Sequence, residues 1–224
     1  MKCKPGLVLA FCLFVLGACN GEDKKRAVAM PASDLYLDYR VSAEEAAEYA
    51  VALLYFRDGG PDAKSIELES GSRVSFDGEP LVADSAKLAG IYYEAQRPLA
   101  GFAGPHKIVY TNKQGEAFEQ SFQFTPLILE NISAVLSRKD LVLELGKSAG
   151  KGKIQVLVTD TSFKTTDINE EYTAENGQIV ISKEALKKVA SGPITLELVK
   201  EEIQPLPNGK LTLSYTLRRE LELR

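Results

Sequence analysis

Apolar and polar residues begin to alternate at residue 35. Leu35, Leu37, Tyr39 and Val41 share one parity, and Tyr36, Asp38 and Arg40 share the other. That is the period-2 pattern of a strand with one buried face. Ser42 to Ala47 reads as one helical turn, with Ser42 as N-cap and Glu45 three residues on, as in a capping box. Tyr49 to Phe56 is apolar on both parities, which predicts a central strand covered on both faces, with a short buried helix as the alternative. Asp58-Gly59-Gly60-Pro61 ends it. Short strands are expected at Ser65 to Glu69, Val74 to Phe76 and Gly90 to Gln96, with a tight turn at Asp77-Gly78. Lys107 to Thr111 and Ala117 to Phe124 flank the loop Asn112-Lys113-Gln114-Gly115 and read as a hairpin. About seven short strands over roughly ninety residues have the look of an immunoglobulin-like sandwich.

Thr125-Pro126 is a natural seam, since proline removes a ladder donor. Beyond it Leu141, Leu143 and Leu145 alternate, as do Ile154, Val156 and Val158, on either side of a hairpin-type loop at Gly146 to Lys153. Asn176-Gly177 turns the chain into Gln178 to Ile181. Ser182 is placed to cap a short helix, Lys183 to Ala190, stopped by Gly192-Pro193. Ile194, Leu196 and Leu198 alternate, Pro205 to Gly209 makes a second hairpin, and Leu211, Leu213, Tyr215, Leu217, Leu221 and Leu223 share one parity. The expected fold is all-β: two immunoglobulin-like β-sandwich domains in series, 34–126 and 127–224, with one short helix in the second. No repeat at a solenoid or propeller period is visible.

The first 33 residues carry no such pattern. Lys2 and Lys4 precede the apolar run Leu7 to Leu16, and small residues follow. This is the layout of a secretory signal peptide over residues 1–18, with an apolar run too short to span a bilayer. Residues 19–33 read as a flexible tether. All three cysteines, Cys3, Cys12 and Cys19, lie in or at the end of the signal. The body therefore has no disulfide, no cysteine nucleophile and no thiolate metal site, and must hold together by its core. After removal of the signal, 25 basic side chains face 31 acidic ones, a net charge of −6. A mildly acidic chain without basic clusters is a poor nucleic-acid binder.

Leu16-Gly17-Ala18-Cys19 resembles the lipobox of bacterial lipoproteins. The resemblance implies that Cys19 is acylated, that palmitate-type chains hold the protein at a membrane, and that it works in the cell envelope. Asn20, not Asp, follows the cysteine, as in lipoproteins sorted to the outer membrane. Gly104 to Asn112 looks like the penultimate strand of bacterial immunoglobulin-like modules. The whole chain is similar to uncharacterised envelope lipoproteins with tandem immunoglobulin-like domains, a likeness that carries over no catalytic or binding residue.

Candidate chemistry is sparse. His106, the one histidine, shares parity with Ile108 and Tyr110 and so points inward. It occupies the place of a corner residue bonded to backbone, expected as a neutral ring. A lone histidine without cysteine does not make a typical zinc site, and no Gly-x-Ser-x-Gly motif accompanies it. Asp167, Asn169 and Glu171 alternate in what reads as a loop after Asp160, but Tyr172 and Gln178 stand where an EF-hand needs glycine and an acid. A solvated acidic loop is the expectation, with no metal and no cofactor. A glycosidase pair of carboxylates is marked by no motif. There is no tryptophan; Tyr36 and Tyr92 fall on outward parities, and two such rings on one sheet face would make a recognition surface.

The sequence therefore points to a lipid-anchored envelope protein with a non-enzymatic binding or scaffold role. Its partners are the membrane, through the lipid on Cys19, and a glycan or protein. A glycan-binding accessory of an outer-membrane uptake system is one alternative and a hydrolase another. A glycan binder should present exposed aromatics beside amide and carboxylate groups, a scaffold an apolar patch or open edge, and a hydrolase a pocket of convergent titratable groups.

Overall fold

The computed structural model describes residues 35–130, 132–150, 153–160 and 168–224. The signal, the lipobox cysteine, the tether and Asp167 lie outside them. The described chain is nearly all strand. In order it runs β1 (Leu35–Glu44), β2 (Tyr49–Asp58), β3 (Arg73–Phe76), β4 (Glu79–Pro80), β5 (Ala83–Ala86), β6 (Gly90–Pro98), β7 (Gly104–Thr111) and β8 (Ala117–Phe124). Then come β9 (Val135–Leu136), β10 (Leu141–Glu144), β11 (Lys153–Asp160), β12 (Ile168–Thr173), β13 (Gln178–Ile181), helix α1 (Lys183–Leu186), β14 (Gly192–Leu206) and β15 (Gly209–Leu223).

One large sheet has the order β12-β11-β14-β15-β1-β2-β6-β5, with β9 also paired to β15. A four-stranded sheet, β4-β3-β7-β8, and a two-stranded sheet, β10-β13, complete the fold. The link across the chain is the β14–β15 hairpin, paired residue by residue from Gly192↔Leu223 to Leu206↔Gly209. The first half of β15 runs parallel to β1, from Leu37↔Gly209 to Glu44↔Thr216, while the first half of β14 pairs with β11. The large sheet thus continues through the region of Pro126, and one buried apolar cluster includes Phe56, Phe76 and Ile108 as well as Ile154, Ile179 and Leu198.

Gly209 allows the parallel pairing. Its φ is +150°, and a Cβ there would lie 2.0 Å from the Leu37 carbonyl oxygen. Only glycine lets β15 enter this close to β1. Two tight turns use left-handed backbone as their sequences suggest: Asp77-Gly78 (φ +50° and +85°) and Asn176-Gly177 (φ +53° and +80°). Ser182 caps α1 as expected, its Oγ accepting from the Ala185 N–H at 3.2 Å.

Several expectations need correction. Ser42 is no N-cap: β1 runs on to Glu44, because Ser42 and Glu44 find ladder partners on β15 and a strand outcompetes one isolated turn. Ser65 to Glu69 is not a strand; only Ser65 forms an isolated bridge, to Arg57. β10 and β11 do not form the expected hairpin, since they lie in different sheets, and Gly146–Ala149 form a 3-10 turn after β10. The acidic stretch around Asn169 and Glu171 is a strand, β12, at the edge of the large sheet. Its charges suit an edge, where they discourage further pairing. β2 is fully covered on one face and only partly on the other, where Tyr55 is buried but Tyr49 is exposed. Ala50, Ala52, Leu54 and Phe56 are buried in the core, while Val51 and Leu53, on the other face, are half-buried. Among the described residues no helix is long and apolar enough to cross a membrane.

Candidate functional site

The outward face of β1, β2 and β6 collects aromatic and polar groups, of which Tyr49 is exposed, Tyr36 and Tyr92 are half-buried, and Tyr55 and Asp38 are buried. On β2 it shows Tyr49, Val51, Leu53, Tyr55 and Arg57, and on β1 Tyr36, Asp38, Arg40 and Ser42. On β6 it shows Tyr92, Glu94, Gln96 and Pro98. Register sets them in rows across the strands. Val51 lies between Ser42 and Gln96, and Leu53 between Arg40 and Glu94. Tyr49 faces Pro98, and Tyr92 faces Asp84 of β5. Tyr36 and Tyr92 therefore do share one sheet face.

At one end of this strip sits a bonded cluster. Asp38, 3 % exposed, accepts from Arg40 through both Nε (3.2 Å) and Nη2 (2.6 Å), and from Arg57 Nη2 at 3.0 Å. Both guanidiniums lie 5.3 Å from the centroid of the Tyr55 ring, a cation–π arrangement. Tyr92 tilts against Tyr55 with centroids 6.1 Å apart, and its hydroxyl donates to Asp84 at 3.4 Å. Burial pushes the Asp38 carboxyl up, but the hydrogen bonds and charges of Arg40 and Arg57 outweigh it and hold the group below its ordinary value. At the other end Tyr49 is 46 % exposed.

Beside the strip, where β4 leads into β5, lies an open hollow of about 600 Å³ lined by Glu79, Leu81, Val82, Asp84, Glu94 and Gln96. Its carboxylates are already engaged. Glu79 pairs with Arg97 at 2.8 Å, Asp84 accepts from the Ser85 N–H at 2.7 Å, and Glu94 accepts from the Gln96 amide.

His106 points inward, as its parity implies, and its side chain is 11 % exposed. It stacks on Phe102 at 4.1 Å and lies within 6 Å of Phe76 and Phe122. Nε2 meets the Phe102 carbonyl at 2.6 Å, the expected backbone bond. Nδ1 meets Asp77 Oδ2 at 2.7 Å, a partner the sequence did not suggest. Both ring nitrogens thus meet an oxygen, one of the backbone and one of a carboxylate. The other oxygen of Asp77 accepts from the Lys107 N–H at 2.8 Å. The turn at Asp77-Gly78 is thus tied to β7 through the histidine. The ring nitrogen that a serine nucleophile would use is occupied by backbone.

Beyond Asp160, the described Asn169 and Glu171 are engaged separately. Glu171 pairs with Lys153 at 2.7 Å and Asn169 accepts from Gln155 at 2.6 Å. Asp160 is buried in register with Ile194. Among the described residues no group of three or more His, Cys, Asp or Glu side chains could hold a metal ion.

No protein-family model and no curated protein matches the chain. Among solved structures it is similar to SGBP-B of the Bacteroides ovatus mixed-linkage glucan utilization locus, solved in complex with a mixed-linkage heptasaccharide. The identity is 11 %, the TM-score 0.24, and the match covers 79 % of this chain and 43 % of that one, so the chain spans less than half of that protein's length.

Proposed function

We propose that the chain is a lipoprotein of the cell envelope, held by acyl chains on Cys19, that recognises a glycan without transforming it. The observation that carries the reading is the uncovered strip along β2. It presents tyrosines beside the amide of Gln96, the carboxylates of Asp84 and Glu94 and the guanidinium of Arg40. Tyrosine offers an apolar ring face with a polar tip, which suits a sugar's mixture of C–H and hydroxyl surface. On this reading the tether sets the strip's reach from the membrane.

Two measurements test it. Cys19→Ala should move the protein out of the membrane fraction; retention after a high-salt wash would remove the anchor. The full-length chain in detergent, applied to an array of plant, fungal and bacterial glycans, should bind at least one class and release no new reducing ends. Binding to none would remove the glycan reading, and reducing-end release would replace it with a hydrolase.

A further inference from the structure

Resting on the glycan reading, we infer that the ligand is a neutral, linear chain of several sugars lying along β2. Length is the first argument. From Tyr49 to the Tyr55–Tyr92 row is six residues of strand, about 20 Å at the usual rise. A single sugar or a disaccharide leaves most of that strip uncovered, whereas an extended oligosaccharide reaches from the exposed Tyr49 to the half-buried Tyr92.

Shape is the second. Between Tyr49 and Tyr92 the strip is floored by Val51 and Leu53, which are half-buried and face away from the core. Polar side chains flank the floor directly across the strands: Gln96 and Ser42 beside Val51, Glu94 and Arg40 beside Leu53. Two strand spacings separate these flanks, about 10 Å. The strip is thus a shallow track with an apolar bed and hydrogen-bonding edges. It fits the broad faces of pyranose rings below and their equatorial hydroxyls to the sides. A branch directed sideways would strike the flanks.

Charge is the third. Arg40, the cation on the track's edge, already donates twice to Asp38, and Arg57 is held by Asp38 and the Ala63 carbonyl. The acids on the opposite edge, Glu94 and Asp84, repel an anionic polymer. A uronate or sulfated chain would find its charges resisted, and a neutral chain needs none answered.

The test is calorimetry of the full-length protein in detergent with neutral linear hexasaccharides (cello-, manno-, xylo- and malto-), their disaccharides and hexagalacturonate. At least one neutral hexasaccharide should bind, and its disaccharide should bind at least tenfold more weakly. Tyr49→Ala and Tyr92→Ala should each weaken the hexasaccharide about tenfold, as loss of an aromatic anchor does. Val180→Ala, on the exposed face of β13, should leave it unchanged. Equal binding of disaccharide and hexasaccharide, a preference for hexagalacturonate, or insensitivity to both tyrosine variants overturns the inference while leaving a glycan-binding protein. Binding to no glycan on the array removes both.

Discussion

Asp38→Asn probes the cluster that anchors one end of the strip. Asp38 is almost fully buried beside the buried Tyr55 on the outward face of the sheet, and it is the shared acceptor of two guanidiniums. The side chain of Arg40 is 50 % exposed and will be rehydrated at little cost when its partner is neutralised. That of Arg57 is 17 % exposed and packs over Tyr55, so it cannot leave without uncovering that ring. Breaking a fully buried ion pair costs about 3–5 kcal/mol. With one of the two cations free to reach water, and asparagine keeping one acceptor oxygen, the expected loss is about 2 kcal/mol. For a body of this size that is a fall in Tm of about 4–8 °C. The pH dependence adds a second check. Because the folded carboxyl titrates below its ordinary value of 3.8, the ionised group stabilises the fold above that value. That stabilisation fades as pH falls through the lower folded value. Urea melts of wild type and variant should therefore differ by about 2 kcal/mol at pH 7 and converge in acid below the ordinary aspartate range. A difference under about 0.5 kcal/mol at pH 7, or one that stays constant into acid, would show that the cluster is a surface decoration.

Two further outcomes follow from the packing. His106→Ala removes a ring from among Phe76, Phe102 and Phe122 and strands the Phe102 carbonyl and Asp77, which should cost about 3 kcal/mol in a urea melt. His106→Tyr, which keeps an aromatic body and one donor, should lose less, and an unchanged melt for the alanine variant would refute a structural role. Gly209→Ala drives a Cβ into the Leu37 carbonyl at a φ that alanine rarely adopts, so it should cost at least about 3 kcal/mol and raise hydrogen exchange in β1 ahead of β7; equal protection in both strands would refute the tie between β15 and β1.

The all-β class was legible because alternation is a local property. Ala117 to Phe124, and the leucines of β15, could be read as strands without knowing any partner. Which strand lies beside which is not local. Nothing in the pattern of Leu35 to Val41 reveals that its neighbour is a segment more than 170 residues later, and the one residue that records the contact, Gly209, also fits an ordinary Asn-Gly turn. The short strands β4 and β5, Glu79–Pro80 and Ala83–Ala86, carry a proline, charges and small residues and have no period to read. β12 was missed for a related reason: on an edge strand only Ile168 need be buried, so acidic side chains can occupy the rest and imitate a loop.

The strip itself was half visible. Tyr36 and Tyr92 could be placed on outward parities, yet their meeting on one face depended on the order β1-β2-β6, which pairing alone supplies. The more informative signal was misassigned. Tyr49 to Phe56 is apolar on both parities, and the ordinary explanation of such a run is a strand buried on both sides. In this fold the core parity is filled by Ala50, Ala52, Leu54 and Phe56, and no second layer within the described residues covers Val51 and Leu53. An apolar run in a strand with only one covered face leaves apolar surface facing water, which folding alone does not require and polar substitutions would relieve. Val51 and Leu53 are apolar between flanks as polar as Arg40, Glu94 and Gln96, and it is this contrast across one sheet face, set by pairing, on which the proposed recognition surface rests.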